Sequence, residues 1–115
     1  MSFEDNLRIA LDDSAQLPPQ LHLGRYAYSW TNGKLGYPPV EQPGFRHLTA
    51  DELLQLARRL RAAPQHHAVF LNLGGHYMGS DVMQEMAPAI AALDALQVLI
   101  LTCNYYVCFF DLLAP

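Results

Sequence analysis

The chain has 115 residues, 51% hydrophobic and 16% charged, with a formal net charge of −4. That length holds one domain and one core, and the acidic balance argues against a phosphate-backbone binder, which needs clustered Lys and Arg. So low a charged fraction leaves less solvated surface than usual and points to apolar surface that meets a partner or a second copy.

Residues 1–20 carry two patterns. Phe3, Leu7, Ala10 and Leu11 follow helical spacing with Ser2 as an N-cap, while Leu7, Ile9 and Leu11 alternate as a strand would. Pro18-Pro19 ends either one. Residues 21–40 have the signature of β-structure. Tyr26, Tyr28 and Trp30 alternate, and Asn32-Gly33 offers the left-handed pair of a type I′ turn, so a hairpin of residues 25–31 with 34–37 is expected.

The next helix carries the most start signals. Thr49 and Glu52 spell a capping box, and Leu48 and Leu53 stand at the two positions of a hydrophobic staple. Leu53, Leu56, Ala57 and Leu60 then form one apolar stripe, which Pro64 closes near Ala63. Arg58, Arg59 and Arg61 are expected on the solvated face. Residues 68–73 (AVFLNL) make a nearly continuous apolar run, suited to a strand buried on both faces. A second helix is expected from Ser80 to Leu93, with Val82, Met86, Ile90 and Leu93 inward and a kink or restart at Pro88. Residues 96–102 (LQVLILT) give the following buried strand, and strand–helix–strand in this order makes parallel neighbours.

The fold class is therefore α/β: a small parallel βαβαβ core with an N-terminal β-hairpin. It is read as a single domain over 1–115, with an N-terminal segment at 1–44 and the core at 45–115. Acidic residues fill the start, where a secretory signal would want positive charge, and Pro88, Asp94 and Gln97 break up the most apolar region. Two cysteines, Cys103 and Cys108, are no disulfide framework. A cytoplasmic location is the expectation, with no membrane and no nucleic acid among the partners.

The two strand segments match at a period of 28 residues: Leu71 with Leu99, Leu73 with Leu101, His76 with Asn104. Leu96-x-x-Leu99-x-Leu101-x-x-Asn104 resembles the strand and turn of leucine-rich repeats of the ribonuclease-inhibitor type, over about residues 66–106. The resemblance implies leucines filling a core beneath parallel strands and an asparagine bonding backbone in the turn. His76 stands where the first copy should have that asparagine, and Val82 where the family has glycine. Phe70, Val98 and Ile100 would lie on the face that open solenoids expose, so the N-terminal segment or a partner is expected to cover it. Thr49-Ala50 before a helix, a strand ending in LNL, and Gly79-Ser80-Asp81 opening a second helix are also similar to STAS domains. That resemblance implies a phosphorylatable serine at Ser80.

Gly74 and Gly79-Ser80 imitate phosphate-loop spacing, but Ser80 stands where the lysine belongs, so a turn that needs glycine is the better reading. Adjacent parallel strands would bring His76, Cys103 and Asn104 to one carboxyl edge of the sheet, and they carry the types of a small Cys/His hydrolase, without a nucleophile motif around them. His66-His67, His22 and His47 lack ligand spacing and are read as surface loop, and no metal or cofactor is expected. The leading expectation is a non-catalytic protein-interaction domain. One form of it is an immunity-type bacterial protein that neutralises a toxin by covering its site. Its contact residues would be Tyr26, Tyr28 and Trp30, with Tyr105, Tyr106, Phe109 and Phe110 of the apolar C-terminal run. The partner would be another protein or a second copy.

Overall fold

The computed structural model describes residues 2–12, 14, 16–36, 38–62, 68–101 and 111–113. The ambiguity at the N-terminus resolves as helix: α1 spans Phe3–Leu11, and Ser2 and Asp5 close a reciprocal capping box at its start. Phe3, Leu7 and Ala10 are its buried stripe. The chain then enters β1 (Gln20–His22) and three short pieces of β-structure, β2 (Tyr26–Ala27), β3 (Trp30–Thr31) and β4 (Lys34–Leu35), followed by β5 (Val40–Glu41).

Helix α2 (Ala50–Ala62) begins as its sequence signals. The Glu52 amide donates to Thr49 Oγ1 at 3.1 Å, and the Thr49 amide to Glu52 Oε1 at 2.9 Å. Arg46 forks onto the same carboxylate at 2.8 Å from each Nη, and these bonds hold Glu52 down at about 2, well below its ordinary value. Arg46 also donates to Glu4 at 2.6 Å, tying the starts of α1 and α2 together. Arg58 and Arg61 are exposed as expected, but Arg59 is not. It is buried, with Nε donating at 3.2 Å to the Asp12 carbonyl, because α2 lays that side chain over the end of α1.

Strand β6 (Phe70–Asn72), helix α3 (Ser80–Ala91), β7 (Val98–Ile100) and β8 (Asp111–Leu113) complete the described elements. Helix α3 continues through Pro88 without the expected restart. Pro88 and Gln84 are both exposed, so the carbonyl that loses its bond meets water instead of a buried void.

The main sheet has the order β1-β6-β7-β8, with β1, β6 and β7 parallel and β8 antiparallel at the edge. Its inner register is the 28-residue offset of the sequence: Leu71 pairs with Leu99, and Phe70 with Val98. Leu21 pairs with Leu71 on the other side. Leu21-x-Leu23, Leu71-x-Leu73 and Leu99-x-Leu101 therefore make one ladder. These leucines join Phe3 and Leu7 of α1, Leu53, Leu56 and Leu60 of α2, and Val82 and Met86 of α3 in the principal core, Leu99 only partly buried at its border. All three helices thus cover one face of the sheet.

Alternation sends Phe70, Val98 and Ile100 to the opposite face, where Tyr28, Trp30 and Leu35 cover them. The N-terminal segment, one of the two covers expected, provides these contacts. The expected hairpin over 25–31 and 34–37 is shorter than its sequence suggested. Only Trp30–Thr31 pairs with Lys34–Leu35, around Asn32 and Gly33 with φ of 52° and 76°. Tyr26–Ala27 pairs instead with Val40–Glu41. The segment also contributes β1 to the main sheet. Tyr37 lies outside the described residues.

Candidate functional site

The carboxyl ends of parallel strands are where α/β sheets place ligands, because the chain turns away there and leaves a crevice. Here β1 exits through Gly24-Arg25 and β6 through Gly74-Gly75. The Arg25 amide donates to the Gly74 carbonyl at 2.9 Å and the Gln42 amide to the Arg25 carbonyl at 2.8 Å, so both neighbours fix the exit of β1. Asn72 closes the floor. Its Nδ2 donates at 2.8 Å to the Tyr26 carbonyl, and its Oδ1 accepts at 3.0 Å from the Gly74 amide. Gly24 lies beneath this bridge, where a Cβ would fall 2.2 Å from Asn72 Oδ1. Gly75 has φ +88° and would bring a Cβ within 2.8 Å of Arg25 Cβ, so glycine is required there on both counts.

Between these exits and the hairpin segment lies a cleft of about 420 Å³, lined by Arg25, Tyr26, Tyr28, Pro39, Asn72, Gly74 and Gly75. That size suits a small ligand or a few side chains. Tyr26 is 43% exposed, and the Arg25 guanidinium carbon sits 5.6 Å from its ring centre. Beyond Gly75 the aromatic surface continues. The Phe45 ring lies 3.6 Å from where a Gly75 Cβ would stand. Tyr77, 59% exposed, stacks on His47 with ring centres 4.4 Å apart.

The three aromatic residues expected on one hairpin face are divided. Tyr28 and Trp30 turn toward the sheet, with Trp30 and Phe70 ring centres 5.9 Å apart. Tyr26 faces outward because it pairs with a different strand. Tyr105, Tyr106, Phe109 and Phe110 lie outside the described residues, as do Cys103, Asn104, His66 and His67.

His76 does reach the carboxyl edge, but its ring is fully buried and both nitrogens are committed. Nδ1 accepts from the Leu48 amide at 3.1 Å, and Nε2 donates to the Leu23 carbonyl. Burial pushes its pKa down to about 4. The imidazole is thus a neutral strut joining the end of β1 to the entry of α2, with neither nitrogen open to act as a base. His22, read as surface loop, is instead a residue of β1 whose ring centre lies 4.9 Å from that of Phe70. Its Nδ1 is buried and has no partner among the described residues, and burial lowers its pKa as well. His47 is exposed in the loop before α2.

Ser80 is exposed in the first turn of α3, and Gly79 before it offers no capping side chain. Among the described residues no group of three His, Cys, Asp or Glu is placed to hold a metal ion, and no helix is long and apolar enough to cross a membrane.

Arg25, Asn72 and Gly75 escaped the sequence reading. The signal available was the near-duplicate Leu21-His22-Leu23-Gly24 and Leu71-Asn72-Leu73-Gly74, which marks two equivalent strand ends. No protein family, curated protein or solved structure matches this chain.

Proposed function

We propose that this chain is a non-catalytic protein-interaction domain whose contact surface is the aromatic carboxyl edge of the sheet. The observation that carries this reading is the pair of exposed rings, Tyr26 beside the cleft and Tyr77 on His47, with hydrogen bonds holding the backbone at Arg25 and Tyr26. Tyrosine supplies large contact area with few torsions to freeze, which is why it recurs at interface hot spots. The partner is another protein or a second copy, and Tyr105, Tyr106, Phe109 and Phe110, which lie outside the described residues, are the further contact residues that the sequence suggests. An immunity-type protein in the cytoplasm, covering the active site of a toxin, is the concrete form that small size and net negative charge suit. A leucine-rich-repeat-like scaffold is supported by the 28-residue register and by helices confined to one face.

The test is photo-cross-linking in cells, with a benzophenone amino acid replacing Tyr26 or Tyr77 and a control at Gln55 on the exposed side of α2. The reading expects a discrete adduct, with another protein or with the chain itself, from the two edge positions and none from Gln55. Equal labelling from all three positions, or none, would reject it.

One observation favours a second reading. Ser80 is exposed at a helix start, where a phosphate group meets free amides and the positive end of the helix dipole, as a STAS-like switch requires. Phosphate on Ser80 in protein isolated from its cells, altering the cross-linking pattern, would promote this reading. The Cys/His hydrolase has less support, because both nitrogens of His76 are already bonded.

A further inference from the structure

We infer that the cleft is a carboxylate site, in which the open edge of the Arg25 guanidinium takes a carboxylate of the partner while an adjoining apolar group lies against Tyr26, Tyr28 and Pro39. This rests on the protein-interaction reading and names the chemistry of the partner segment.

Among the described residues that line the cleft, Arg25 is the only charged one. Its backbone is fixed on both sides, by the Gly74 carbonyl and the Gln42 amide. The bare Gly75 lets its Cβ come close. The side chain is half exposed, with Nε 3.5 Å from the Glu41 carboxylate and the guanidinium carbon over the Tyr26 ring. No hydrogen bond to either Nη occurs among the described residues, so the N–H groups of that edge are unspent. A guanidinium presents such donors in a planar fork that fits a carboxylate through two parallel bonds.

The rest of the lining decides what the carboxylate is attached to. Both polar ends of the Asn72 side chain already hold backbone, and Pro39, Gly74 and Gly75 add no charge. A phosphate would want a second cation, and the described lining has none. One planar anion joined to an apolar body matches one fork beside two tyrosine rings and a proline. Glu41 is the competing anion, and it holds only the Nε side.

The experiment is an amide-resolved NMR titration with N-acetyl-L-phenylalanine, which carries a carboxylate beside an apolar group, against its uncharged amide. The acid should shift Arg25, Tyr26, Gly74 and Gly75 and bind about tenfold more tightly than the amide, the worth of one charge-assisted contact. Arg25→Gln should erase that preference, and Glu41→Gln should tighten the acid by removing its rival. Acid and amide binding alike, an undiminished preference in a folded Arg25→Gln, or no shift from the acid at its solubility limit would each overturn the inference. The comparison of acid with amide in the wild type decides the matter even if Arg25→Gln does not fold. Photo-cross-linking then separates the two levels of argument. An adduct from Tyr77 that persists undiminished in Arg25→Gln keeps the interface and removes the carboxylate, whereas no adduct in the wild type removes the interaction reading itself.

Discussion

The two faces of the central sheet are built on different terms. On the helix side, leucines recur at every second residue of three parallel strands and meet the stripes of α1, α2 and α3. On the hairpin side the same strands offer a mixture: Phe70, Val98 and Ile100 as a small apolar cluster, with Gln20, His22 and Asn72 beside it. The first face is continuous and closed, so it carries most of the apolar burial. The second is narrower and polar at its margins, and its cover is a short two-stranded hairpin that leaves the cleft at one end. Stability resides mainly on one side, and the cleft opens on the other.

Truncating the helix side should produce the largest effect. Leu71 is fully buried in the middle rung of the leucine ladder, and Leu71→Ala should destabilise by about 2–5 kcal/mol through lost transfer energy and the cavity left behind. Urea denaturation measures it. A loss below about 1 kcal/mol would mean that the ladder is not the principal core.

Acid should then act on the helix side through His76. Its folded-state pKa lies near 4, below the ordinary 6.5, so between those values the unfolded chain binds the extra proton. The stabilisation is fully present above pH 6.5 and is lost as pH falls through about 4, an effect of roughly 3 kcal/mol. His22, lowered in the same sense by burial, adds to the slope from the hairpin side. Folding free energy measured across this range should flatten in His76→Leu, even though that variant is less stable throughout because the Leu48 amide and Leu23 carbonyl lose their partner. An unchanged slope would show that the ring is not the group responsible.

The hairpin side should yield less. Trp30 is half buried against Phe70, and Trp30→Ala should cost about 1–2 kcal/mol while amide exchange at Leu71 and Leu99 stays slow. Fast exchange at those amides would show that the two faces fold as one unit and that the distinction drawn between them is false. The smallest effect belongs to the cap of α2, where Thr49→Ala removes one bond to the Glu52 amide and should shift stability by about 1 kcal/mol. A midpoint within error of wild type would place the start of the helix elsewhere.

Legibility followed the same division. Helix α2 and its cap, the buried run around Leu71 and the 28-residue offset were readable, because caps and apolar periods are local chemistry repeated over many residues. Strand β1 was not recognised as part of the main sheet. Leu21-His22-Leu23 is short, is flanked by Pro18-Pro19 and a tyrosine-rich stretch, and takes its partner 50 residues further on. The candidate site was least legible of all. Arg25 and Asn72 are ordinary polar residues until β1 and β6 lie side by side, and only then does Asn72 reach the Tyr26 carbonyl.

By itself the sequence determined an α/β fold class, the capping box of α2, a parallel register written as a repeat, and a type I′ turn at Asn32-Gly33, since each depends on residues close together or evenly spaced. Only the tertiary structure decided that the segment between β1 and α2 folds back over Phe70, Val98 and Ile100. It also decided that His76 is a strut and that Arg25 stands at the rim of a cleft. Those outcomes depend on which distant groups meet at the carboxyl edge once the leucine ladder has closed, and no local pattern encodes such a meeting.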